Sequence, residues 1–175
     1  MRSIKPSMEI LQSPSLGKIR TRLDQLGLAL PPPLCIPEGV TLPFVPVHVV
    51  GKRVLISGHG PQNPDGTLAD LNGRIGHDVD EAQGYDAAKL TALSMLASLE
   101  RTLGSLDAIK CWVRIFGMVR CTTGFQHHPG VINGCSDLLL ALWGPLQGQH
   151  ARSAVGMAEL PFGIPVEIEG EAELY

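Results

Sequence analysis

The stretch from His150 to Leu174 carries the residues best suited to chemistry. Arg152 lies among small residues in HARSAVG, and Glu167, Glu169, Glu171 and Glu173 recur at every second position of VEIEGEAEL. On an extended strand that period puts Val166, Ile168, Gly170, Ala172 and Leu174 on one face and the four glutamates on the other. Four like charges on one face repel unless they are hydrated or paired, and Glu171 and Glu173, near the end of the strand, suit a solvated face. Arg152 is harder to place. The small, apolar composition of its strand predicts an interior position, where a guanidinium costs desolvation unless it meets a carboxylate or other acceptors. Its planar fork suits a carboxylate bidentately, whether that of Glu167 or that of a ligand. Spacing alone leaves both partners open and leans slightly toward a structural ion pair.

Earlier elements must position these two segments. SPSLGKIRTRLDQLGLALPPP places Leu16, Ile19, Leu23 and Leu26 at helical spacing, with Ser13 or Ser15 able to cap the helix and Gly27 to end it. Pro31, Pro32 and Pro33 then force an extended connector. Residues 1–40 thus read as a helix and proline-rich arm, and residues 41–175 as the main domain. Two β-branched runs, 45–50 and 53–57, flank Gly51-Lys52 in the pattern of a tight hairpin, and Asn63-Pro64-Asp65-Gly66 reads as a turn. Ser57-Gly58 ends the second run, where a missing side chain admits either a bend or the close approach of a ligand. A long helix follows, with Asp78 and Glu81 at capping-box spacing, Ala82, Tyr85, Ala88, Ala92, Leu96, Leu99 and Leu103 at helical steps, and Gly104 at its end. AIKCWVRIFGMVR alternates, with Ile109, Cys111, Val113 and Ile115 on one face and Lys110, Trp112, Arg114 and Phe116 on the other. A second helix opens at Pro129 and stops at Gly144-Pro145. Strands over residues 152–158 and 166–174 finish the chain.

The order is ββαβαββ after an N-terminal helix, an α+β fold. Two long helices cover only one face of such a sheet, so a second copy of the chain is expected to bury part of the other. A length of 175 residues suits one domain, and a net charge of −3 with scattered basic residues argues against nucleic acid or an anionic membrane as partner. The N-terminal residues lack the apolar run of a secretory signal, and the aliphatic stretch 138–143 is too short to span a bilayer. A soluble, cytoplasmic protein is expected. Cys35, Cys111, Cys121 and Cys135 form no C-x-x-C pair and read mainly as reduced, buried hydrophobes. His127 and His128 diverge in an extended chain and no further ligands lie at metal spacing, so neither metal nor other cofactor is expected. No phosphate-binding glycine loop is present.

LISGHGPQNPDGTL, PGVINGCSDLL and HARSAVGMAELPFGIPVEIEGEAEL together resemble the Rid family, the YjgF-type reactive intermediate deaminases. The resemblance spans residues 40–174 and is closest to the longer branch described as chorismate-mutase-like or endoribonuclease-like. It implies a homotrimer whose sheets line a central barrel, with a pocket at each subunit interface. It further implies hydrolytic deamination of a 2-imino or 2-enamino acid, or a related small carboxylate-bearing metabolite. Arg152 takes the place of the arginine that holds the substrate carboxylate, and Glu167 that of the glutamate that guides water and handles the proton. Gly58 matches the glycine whose N–H meets substrate, with Ser57 beside it, and Asn133 matches an asparagine of the second helix.

Two positions depart from that pattern. Phe44 stands where deaminases carry a tyrosine, and Ala154 where they commonly carry a cysteine. Both losses remove polar groups from the pocket and leave two alternatives to the deaminase: a non-catalytic module that binds small carboxylates, or a specialised biosynthetic enzyme reusing the pocket. Ribonuclease action suits the acidic balance poorly. Of the histidines, His59 reads as an exposed turn residue and His150 as a strand-end surface residue, with pocket roles as the alternatives. Trp112 and Phe116 read as core or interface packing.

Overall fold

The computed structural model describes residues 17–36 and 39–175. Its elements are α1 (Lys18–Gln25), β1 (Val47–Val50), β2 (Arg53–His59), α2 (Glu81–Leu103), β3 (Ile109–Arg120), α3 (His128–Gln147), β4 (Ala151–Met157) and β5 (Val166–Leu174). The order ββαβαββ after a helix is the one the sequence implies. The five strands make one mixed sheet in the order β1-β2-β5-β3-β4, antiparallel except for the β3–β4 pair. The sheet is not closed, and β1 and β4 are its edges.

Alternation in β5 decides which face is the core. Val166, Ile168 and Ala172 are buried, whereas the glutamates between them are half-buried or exposed. Helices α2 and α3 lie on the apolar face, where Met95, Leu96, Leu99, Ile132, Leu139 and Leu142 meet Val54, Ile115 and Ile168 in one cluster. Helix α2 is buried all round from Thr91 to Leu99, because it is wedged between sheet and α3. Its close approach to α3 depends on Gly134, since a Cβ there would overlap the carbonyl oxygen of Tyr85 and crowd the backbone of Lys89. Among the described residues no helix lies over the second face of the sheet, where Val50, Leu55 and Val113 are exposed.

Several local expectations are corrected. Asp80 and Gln83, not Asp78 and Glu81, form the capping box of α2; the Asp78 carboxylate is taken by the Arg74 N–H and by His77. Strand β3 does not alternate strictly. Irregularities against β5 at residues 109–111 and 112–114 reset its phase, so Ile109, Trp112 and Ile115 are buried while Val113 is exposed. Trp112 is thus a core residue, packed edge-on against Trp143 with centroids 5.6 Å apart. Helix α3 passes the predicted stop: Gly144 breaks it at φ 77°, and one further turn runs to Gln147. The proposed caps Ser13 and Ser15 lie outside the described residues, as does Leu16. Instead, the Asp107 carboxylate accepts from the N–H groups of Lys18 and Ile19 at 2.7 and 2.9 Å and caps α1 from a distant turn. Arg152 is not on an interior strand, because among the described residues β4 pairs only with β3.

If the Gly134 contact sets the α2–α3 spacing, Gly134→Ala will destabilise the fold by about 2–3 kcal/mol. Urea denaturation would read the loss, and an unchanged midpoint would mean that the helices can part at no cost.

Candidate functional site

Strand β4 sends Arg152 and Ala154 to the same side as their β3 neighbours Ile115 and Gly117, the side that α3 covers. There the Arg152 guanidinium meets the first turns of α3. Its Nη1 donates to Asn133 Oδ1 and to Ser136 Oγ, each at 2.9 Å, and Nη2 donates to the Pro129 carbonyl at 3.4 Å. All three acceptors are neutral. Among the described residues no carboxylate pairs with Arg152, in contrast to Arg53 with Glu171 and Lys110 with Glu173 on the other face. A guanidinium has five donors, so part of this fork remains for another acceptor.

Glu167 is elsewhere. It sits beside Met118 in the β3–β5 pairing, and because Ile168 faces the helices, Glu167 faces the uncovered side of the sheet. Two strand steps and three residues along the strand separate it from Arg152, about 14 Å in backbone terms, and the sheet lies between them. The ion pair that spacing favoured is therefore absent. Burial, and then the neighbouring Glu169, push the Glu167 carboxyl above its ordinary pKa.

Gly58 joins Glu167 rather than Arg152. Strand β2 bulges between Ile56 and His59, which swings Gly58 over the Glu167 carboxylate; a Cβ at Gly58 would overlap Glu167 Oε1. Ser57 Oγ donates to the Val45 carbonyl at 2.8 Å, pinning the segment that carries the exposed ring of Phe44. The predicted residues thus fall into two groups within one chain: Arg152, Asn133 and Ala154 at the β4 edge, and Gly58, Ser57, Glu167 and the Phe44 segment around β2 and β5. A cavity of about 250 Å³ on the uncovered face, lined by residues including Leu55, Ser57, Arg114, Phe116 and Glu169, contains neither Arg152 nor Glu167.

Two histidines differ from their surface readings. His59 is half-buried between β2 and α2, with Nδ1 2.7 Å from the Ser57 carbonyl and Nε2 2.9 Å from Ser98 Oγ, which also accepts from Arg101. Arg101 in turn donates to the Pro31 carbonyl of the proline-rich arm at 3.3 Å. His150 repeats the arrangement on α3, with Nδ1 2.8 Å from the Gly148 carbonyl and Nε2 3.0 Å from Ser136 Oγ. Burial lowers the proton affinity of both rings, opposed by the backbone bond and reinforced by Arg101 or Arg152. His127 and His128 turn apart, toward Glu81 and Cys121 respectively. Among the described residues no three His, Cys, Asp or Glu side chains gather as a metal site. Cys135 is fully buried and its thiol is pushed up to about 12; Cys111 and Cys121 are half-buried and Cys35 is exposed.

The family model described as "YjgF/chorismate mutase-like, putative endoribonuclease" matches residues 21–164. The chain belongs to the YjgF family. It is 33% identical to Protein TCP17 of Trypanosoma cruzi over 158 residues, covering 90% of this chain and 95% of that protein. Among solved structures, Atu1372 of Agrobacterium tumefaciens is 35% identical with a TM-score of 0.79, covering 90% of this chain and 94% of the other. A protein of Shewanella oneidensis described as a putative endoribonuclease is 30% identical, also at 0.79, over 89% and 99% of the two chains.

Sequence reasoning missed Ser136, Ser98 and Arg101. Ser136 lies one helical turn after Asn133, so the two share a face and meet the same guanidinium, a signal present in the i, i+3 spacing. Ser98 and Arg101 have that spacing too, but nothing in the sequence said which face of α2 meets His59.

The raised proton affinity of Glu167 has a sign that can be tested. Folding favours the neutral acid, so the cost of its ionised form is absent below the ordinary carboxylate pKa and builds as pH rises through the higher folded value. Glu167→Gln should therefore raise stability near pH 7.5 and lose that gain by about pH 3.5. Urea midpoints at both pH values would show it, and an equal gain at both would contradict the burial argument. No helix among the described residues is long and apolar enough to cross a membrane.

Proposed function

We propose that the protein is a homo-oligomeric hydrolase that deaminates 2-imino or 2-enamino acids, with Arg152 as the carboxylate clamp. The observation that carries this reading is a guanidinium held by three neutral acceptors and no carboxylate. Such a set orients the group while leaving its charge for a guest anion. Membership of the YjgF family supports it at the level of family.

A single chain does not bring Arg152 to Glu167, so the reading requires two copies at each site. The β4 edge of one protomer, with Arg152, Asn133 and Ala154, would meet the Gly58–Glu167 side of its neighbour. The uncovered sheet face, with Val50, Leu55 and Val113 exposed, supports burial by further copies. A homotrimer with these faces around a central barrel satisfies both demands by cyclic symmetry.

In that site Arg152 holds the substrate carboxylate and the Gly58 N–H meets the substrate. Water adds to the imine carbon, giving up a proton to Glu167. Glu167 then returns that proton to nitrogen; as the C–N bond breaks, the added hydroxyl becomes the carbonyl and its proton leaves with the amine, so that protonated imine and water become 2-oxo acid and ammonium. A carboxyl whose proton affinity is raised by burial suits both halves of that exchange. Phe44 offers a ring without a hydroxyl and Ala154 a methyl without a thiol, so Arg152 and Glu167 carry the chemistry alone.

Imine released by an amino-acid oxidase, with 2-oxo acid appearance followed against the spontaneous rate, tests the reading. Arg152→Ala should lower kcat/KM by about 100-fold, the loss of one charge-assisted bidentate contact. Sedimentation should give three times the chain mass. Wild-type protein no faster than buffer, or an alanine variant equal to wild type, would end the deaminase reading. Binding of a 2-oxo acid without turnover would favour the carboxylate-binding module.

A further inference from the structure

The contacts that hold Arg152 extend one layer beyond the residues the proposed reaction uses. Ser136 is 8% exposed and presents its hydroxyl oxygen to the guanidinium on one side and to His150 on the other. The direction of each hydrogen bond in this row follows from chemistry alone. The Gly148 carbonyl can only accept, so His150 Nδ1 must carry the proton. In the neutral ring Nε2 is then a lone pair, and the Ser136 hydroxyl must donate to it. That turns the hydroxyl's own lone pairs toward Arg152 Nη1, which can only donate. Gly148, His150, Ser136 and Arg152 thus form a row of bonds with one permitted direction.

We infer that Ser136 and His150 are positioning residues that lock Arg152 in its ligand-ready rotamer while leaving its charge uncompensated. The inference rests on Arg152 being the carboxylate clamp. A glutamate in place of Ser136 would hold the guanidinium as firmly, but it would cancel the charge and occupy the fork. A serine without His150 has a freely turning hydroxyl, able to bond back to the helix carbonyl four residues earlier. The imidazole removes that freedom without requiring a second cation, because burial and the adjacent guanidinium both disfavour its protonated form.

The bond at Nε2 distinguishes His150 from a histidine that only closes a loop. A histidine that only closed the loop after α3 would need the Gly148 bond and nothing at Nε2. Here both nitrogens are engaged, and the second engagement leads to a guanidinium held by neutral acceptors alone. The matching row Ser57–His59–Ser98–Arg101 ends differently: its histidine faces the bulge that carries Gly58, and its arginine reaches the Pro31 carbonyl.

Without the lock, Arg152 must be ordered by each incoming ligand. The cost of immobilising one long side chain corresponds to about a tenfold loss of affinity. The test is calorimetric binding of 2-oxobutanoate, with turnover measured in the oxidase-coupled assay. Ser136→Ala and His150→Ala should each weaken binding and raise KM about tenfold, with kcat within about twofold of wild type. His150→Gln keeps an acceptor for the Ser136 hydroxyl and should restore binding to within about twofold. Ser136→Ala and His150→Ala at wild-type affinity, beside an Arg152→Ala that no longer binds, would overturn the lock and leave the clamp standing. Equal binding by wild type and Arg152→Ala would remove the clamp, and the lock with it. Independently of any ligand or variant, 15N shifts of the wild-type imidazole at neutral pH should show the Nδ1–H tautomer for His150; an Nε2–H tautomer or a protonated ring would overturn the inference.

Discussion

Strand β5 is hydrogen-bonded on both sides, to β2 and to β3, and its strict two-residue period governs the rest of the molecule. Its even-numbered residues from Val166 to Ala172 face α2 and α3 and anchor the buried cluster. Its odd-numbered glutamates face away, so the second side of the sheet can be covered only by something that tolerates carboxylates. A slip of one residue would bury four acids and expose the core, so the register is strongly held. The positions of Arg152 and Glu167 follow from it, because each inherits its side of the sheet from the strand pairing.

Two sets of charges contrast on this frame. Glu171 with Arg53, Glu173 with Lys110, and Glu159 with both Arg74 and Arg120 are pairs with at least one exposed partner, and each glutamate has its proton affinity lowered by its cationic partner. Such surface pairs contribute little to stability. Arg152 and Glu167 form no ion pair among the described residues, and each is half-buried. A cation held by neutral acceptors and an acid with raised proton affinity are costly for a fold and useful for a reaction. Because they lie on opposite faces of the sheet, one chain alone does not bring the two together.

Patterning made much of the architecture legible. The element order, the hairpin at Gly51-Lys52, the end of α2 at Gly104 and the two faces of β5 all follow from local periods and from residues with special backbone freedom. The misread features are those where a local rule met a distant partner. Asp78 has the spacing of a cap but is taken by Arg74 and His77, and α1 is capped by Asp107, 89 residues from Lys18. The alternation of β3 fails because irregular pairing with β5 shifts its phase twice, a property of two strands and not of one.

Of the candidate site, the residue types and the 15-residue interval from Arg152 to Glu167 stand in the sequence, and so does the shared helix face of Asn133 and Ser136. Side-chain period by itself determined which residues of β5 face the core and which carry charge, because that period is a property of the extended chain. Only the tertiary structure decided that β4 is an edge strand, that Arg152 rests on α3 while Glu167 lies across the sheet, and that His59 and His150 are drawn inward to serines. Those outcomes depend on which strands pair and which helix faces meet them, and such long-range contacts leave no trace in the spacing of residues along one segment.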